Sequence, residues 1–128
     1  MTAIINENKE ALLKAKERFL ENSKDFFVKY RMAATFLVIA AFLDAFSTFC
    51  FMYVLGVEME MHPMVRGVSE IFGPLFGPFI GGTIKVGLGF CALIYIRKFE
   101  KPLMVLAGLF YCYAFMHNLT VSGAFTLL

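Results

Sequence analysis

The chain is 128 residues long, enough for one domain, and 59% of it is hydrophobic, with a mean hydropathy of +0.71. Soluble domains hold roughly 45 to 50% apolar residues, so an ordinary water-soluble fold is excluded and a membrane protein is expected. The net charge of +2 is small and no basic stretch is interleaved with aromatics, which argues against a nucleic-acid partner.

Residues 1–31 read as a cytoplasmic amphipathic helix. Leu12, Phe19 and Phe26 recur every seven residues, as do Leu13, Leu20 and Phe27, with charges on the other face. Asn6 or Asn8 is placed to cap its start, Glu10 and Lys14 add an i,i+4 pair, and Asn22, Ser23 and Asp25 mark a break. The apolar face, edged with lysine, is suited to lie along a lipid surface or to dock on a partner helix. The segment is charged throughout and has no short apolar core, so a cleavable signal peptide is not expected.

A hydrocarbon core of roughly 30 Å takes about 20 apolar residues in a helix, and three stretches qualify: about 32–56, 72–96 and 102–123, the last with an apolar tail to Leu128. The expected fold is therefore all-α, an integral membrane three-helix protein with an N-terminal amphipathic helix and a membrane domain over 32–128. Seven basic residues from Lys9 to Arg31 precede the first span, and Arg97, Lys98 and Lys101 separate the second from the third. The loop from Val57 to Glu70 holds Arg66 beside Glu58, Glu60 and Glu70. By the positive-inside rule the N-terminus is cytoplasmic and the C-terminus outside.

In the outer loop, Pro63 disfavours helical geometry at His62 and opens a new helical turn, which suggests a short surface helix from Met64 to Phe72. Met59, Met61, His62 and Met64 cluster there, and thioether plus imidazole ligands suit copper, a candidate metal site. Pro74 and Pro78 imply that the second span is kinked or starts late. Within it Gly73, Gly77, Gly81, Lys85 and Gly89 recur every four residues, a small-residue stripe that lets another helix approach closely.

Asp44 and Lys85 stand near the middle of the first two spans. A lone charge at that depth costs roughly 2.5 to 3.5 kcal/mol, so the two are read together. Asp44 lies about 18 Å above Met32 and Lys85 about 16 Å above Ile96, one level. Thr48 shares a face with Ala41, Asp44 and Ala45. His117 and Asn118 in the third span lie about a turn further out, and the face of Ala107, Tyr111, Ala114 and Asn118 is able to meet the pair, so one polar layer is expected to hold Asp44, Thr48, Lys85, His117 and Asn118. Cys50, Cys91 and Cys112 fall inside spans without a CxxC and read as packing residues.

No HExxH, nucleophile elbow or phosphate-cradling loop is present, so no catalytic residues and no cofactor are assigned, and a non-enzymatic role is expected. The order Leu43-Asp44-Ala45-x-x-Thr48, then Gly56, then Glu60-x-His62-Pro63-Met64-x-Arg66, then Lys85 resembles a family of small uncharacterised prokaryotic multi-pass membrane proteins. That family carries an Asp with a Thr four residues later in its first helix and a Glu-x-Asn-Pro loop; here His62 stands in place of the Asn. The resemblance implies a multi-pass fold in a prokaryotic cytoplasmic membrane and marks Asp44, Thr48, Glu60 and Pro63, without implying an activity. The functional expectation is an oligomerising or accessory subunit of a membrane complex, its partners being the lipid bilayer and other membrane subunits or itself. An oligomeric transporter or pore using Asp44 and Lys85 is the alternative, and copper binding by the outer loop a second one.

Overall fold

The structure, a computed structural model, describes residues 2–123, so the apolar tail expected at 124–128 lies outside the described residues. The chain is all-α: helices α1 (Thr2–Lys29), α2 (Arg31–Leu55), α3 (Pro63–Ile96) and α4 (Glu100–Val121), with a 3₁₀ turn at Val57–Met59. No strand occurs among the described residues.

Helix α1 runs unbroken through Asn22, Ser23 and Asp25, contrary to the expected break, and positions 6 and 8 are internal to it rather than at its start. Asn22 is tolerated inside the helix because its side chain works across the fold. Its Nδ2 donates to the Ile94 carbonyl at 3.0 Å and its Oδ1 accepts from Arg97 Nη1 at 3.1 Å. One of the orphan carbonyls at the end of α3 is thereby satisfied. Around this staple, Phe26 (2% exposed) joins Leu37, Leu93, Ile94 and Met104 in a buried core. Phe19 and Phe26 of α1's apolar face are thus used by the chain's own bundle, while Leu12, Leu13, Leu20 and Phe27 stay exposed. The joint to α2 is slight: Tyr30 N donates to Phe26 O and Ala34 N to Tyr30 O, so hydrogen bonding carries across it.

Helix α2 is central. It packs most extensively on α4, less on α3, and α3 and α4 have little direct contact. Small residues set that order. Ala33, Ala40 and Ser47, seven apart, are all buried on α2, and Gly108 of α4 receives the Phe36 ring, which a Cβ there would strike. The approach of α2 to α3 is looser, with the Ala45 Cβ 3.7 Å from where a Cβ on Gly82 would stand.

Helix α3 is two arms joined at Gly73, whose φ of 81° and ψ of 166° no ordinary L-residue adopts without strain. A Cβ on Gly77 would collide with the backbone of Ser69, and one on Gly81 would lie 3.2 Å from Val65 Cα. In a straight helix residues 65 and 81 would stand about 24 Å apart. The contacts therefore require the arm 63–72 to fold back antiparallel along the start of the arm 74–96. Pro63 and Pro74 each open an arm, where a missing N–H costs little. The short helix expected after Pro63 forms as this re-entrant arm, with Arg66 and Glu70 exposed, and Val65 packs from it onto Phe51 and Met52 of α2. The glycine stripe is likewise divided: Gly73 is the turn, Gly77 and Gly81 hold the chain's own arm, and Gly89 has nothing within 4 Å.

Candidate functional site

The Ala45–Gly82 contact fixes the relative level of α2 and α3. Asp44 is next to Ala45, about 20 Å along α2 from Arg31, and Lys85 is one turn from Gly82 on the side nearer α1. Both side chains are half-buried. They share the level without touching: among the described residues the ion pair within 4 Å is Arg66–Glu70, at 3.7 Å on the surface. Lys85 Nζ instead lies 4.8 Å from the centre of the Tyr111 ring, reaching from α3 to α4. Asp44 stands within electrostatic range of Lys85 and of Glu60, and Tyr111 within range of Asp44.

One turn further out the layer is hydrogen-bonded. Ser47 Oγ donates to the Asp44 carbonyl at 2.9 Å, while Asn118 Nδ2 donates to Thr48 Oγ1 at 3.0 Å and to Ser47 Oγ at 3.3 Å. Ser47 has no exposure and Thr48 is also buried, so this contact between α2 and α4 is shielded from lipid. Of the five residues expected in one layer, Thr48 and Asn118 are joined directly, while Asp44 and Lys85 lie at a similar level without contact. His117 stands apart. It is exposed, turned about 100° from Asn118 around α4, and its ring stacks loosely on Tyr113 at 6.2 Å. Ser47 escaped the sequence reading, and its signal was the Ala33–Ala40–Ser47 spacing.

The re-entrant arm brings in a further group. Because the two arms are antiparallel about Gly73, with Ser69 against Gly77 and Val65 against Gly81, its starting end falls beside the stretch of α3 near Thr83. Glu60 is at that end, its Oε1 accepting from the His62 backbone at 2.8 Å. Of the loop side chains considered for copper, Met59 and Met61 are 57% and 91% exposed, His62 is exposed and Met64 half-buried. No cluster of three His, Cys, Asp or Glu suited to a metal occurs among the described residues. Cys50, Cys91 and Cys112 are free thiols.

Helices α2, α3 and α4 are each long and apolar enough to cross a membrane, which makes this a multi-pass membrane protein. The arm 74–96 rises about 34 Å and suffices alone for its crossing. The chain matches no protein-family model, no curated protein and no solved structure.

Proposed function

We propose that the protein is a non-enzymatic membrane subunit that assembles, with itself or with other membrane proteins, over the open side between α3 and α4. One observation carries this reading: at mid-depth Asp44 of α2 and Lys85 of α3 are half-buried with no ion pair within 4 Å among the described residues, and Lys85 reaches Tyr111 across α3 and α4, two helices that barely touch. Hydrocarbon there is a poor neighbour for either charge, and a helix from another subunit would cover them. The glycine stripe is less suited to that contact, since Gly77 and Gly81 already hold the re-entrant arm. Lys24, Lys29, Arg31, Arg97, Lys98 and Lys101 are exposed around the α1 end, which supports a cytoplasmic N-terminus. The family resemblance supports a prokaryotic cytoplasmic membrane. Mild-detergent extraction from native membranes tests the assembly: a complex larger than one chain is expected, with cross-links from α3 and α4, and a stable monomer would contradict it.

The re-entrant arm favours a second reading. Half-helices that end at mid-membrane beside ionisable side chains are how many transporters build an ion or solute site, with irregular backbone tolerated where it lines a cavity. Glu60, just before the arm and within electrostatic range of Asp44, gives the arm an ionisable side chain at its start. In this reading the assembled protein moves a small polar solute or ion past Asp44. Flux into proteoliposomes that is abolished by Asp44→Asn would support it, and flux indifferent to that change would remove it.

A further inference from the structure

On the side of α2 and α3 away from the polar layer, the two helices diverge and leave an apolar groove of about 330 Å³. Its floor is Ala41, Ala45, Gly82 and Gly87, and Phe42 and Phe79 form a wall, their rings 5.7 Å apart. A second groove, of about 300 Å³, continues it toward α1 and shares Val38 and Phe90 with the first. Arg31 lines this second groove. From Arg31 to Ala45 the helix rises about 21 Å, which matches one leaflet with its headgroup layer.

We infer that this continuous groove is a binding site for one anionic phospholipid, an acyl chain lying over Ala41 to Gly87 and the phosphate on Arg31. Charge decides the occupant. The deep part is lined almost wholly by apolar side chains, as an acyl chain requires, while its shallow end carries a guanidinium with no ion pair among the described residues. Arginine presents paired N–H donors that fit a phosphate, and Lys24, two turns further out, is exposed and also free of an ion pair among the described residues. A second copy of the chain, the other occupant of such a surface, would have to seat Arg31 against a carboxylate at the same depth. At that end of the spans the carboxylate is Glu100, which opens α4 and is buried at 8% exposure, so it is not presented to a second copy, and Asp44 lies some 20 Å away. The site rests on the three helices crossing a bilayer and is independent of the assembly proposed above.

The test is native mass spectrometry of the full chain in detergent, titrated separately with dioleoyl phosphatidylglycerol and dioleoyl phosphatidylcholine. One phosphatidylglycerol is expected to be retained at least tenfold more strongly than phosphatidylcholine. Arg31→Gln should remove that preference and Arg31→Lys keep part of it. A Cβ on Gly87 would have nothing within 4 Å, so Gly87→Leu places its side chain in the groove without a clash at the backbone and should cut retention of both lipids. Gly89→Leu, equally open but outside the groove, should leave retention unchanged. Equal retention of the two lipids, or an unchanged preference in Arg31→Gln, would mean surrounding lipid only and overturn the proposal. A Gly87→Leu chain that keeps its lipid but changes its oligomeric state would overturn it in favour of a protein interface.

Discussion

The four-residue spacing of glycines in α3 looks uniform in sequence, yet the residues do different things. Gly73 holds a backbone angle closed to side chains, Gly77 is pressed against the Ser69 backbone, Gly81 is in tight contact with Val65, and Gly89 faces open space. Alanine substitution should therefore separate them. Gly77→Ala and Gly73→Ala are each expected to lower stability by about 1 to 3 kcal/mol, the first by overpacking and the second by backbone strain. Gly81→Ala should fall below Gly77→Ala, and Gly89→Ala should be neutral or slightly stabilising, because alanine is the better helix former. Denaturant titration in micelles distinguishes this graded series from a uniform response. Spacing alone shows that small residues share a face. It does not show what lies against them, because Ser69 and Val65 reach the stripe only after the chain reverses at Gly73. The His117 and Asn118 pair teaches the same lesson: adjacent polar residues differ by about 100° around a helix, and only one meets Thr48.

At the scale of elements, apolar length located the spans to within a few residues, because desolvation in a bilayer constrains little else: residues 32–56 against Arg31–Leu55, and a second span ending at Ile96 as expected. The re-entrant arm was not legible. Pro63 signals a helix start without telling that the helix will fold back along its own continuation, and the deciding feature is the close fit of Ser69 against Gly77. Helix α1 was legible as an amphipathic helix, whereas its dock was not, since Asn22 read as a breaker when its side chain in fact bridges Ile94 and Arg97. Asn22→Ala removes both bonds and should weaken the dock by about 1 to 3 kcal/mol. Hydrogen exchange is expected to quicken along α1 while α2 stays protected; no change in α1 would show that Phe19 and Phe26 hold it unaided. Between α2 and α4, Asn118→Leu removes the bonds to Ser47 and Thr48. Such bonds inside membranes average about 0.6 kcal/mol, so a modest loss of thermal stability is expected.

The whole molecule is a thin bundle in which α2 does most of the burying. Among the most apolar 18 residues of each span, 11% are buried in α3 and 17% in α4, against 44% in α2, so most of the outer helices' apolar surface is left open to lipid or partners. The polar layer sits where that thinness matters most, in the gap bridged by Lys85 and Tyr111. Removing one charge strands the other at mid-depth, whereas removing both leaves an apolar contact, so the two losses should not add. The direct measurement is the assembled fraction of the wild-type chain, Asp44→Asn, Lys85→Met and the double variant, compared in lipid nanodiscs. Each single change is expected to reduce assembly several-fold, and the double change to recover part of it. Full assembly in both single variants would contradict the claim that a partner completes this layer.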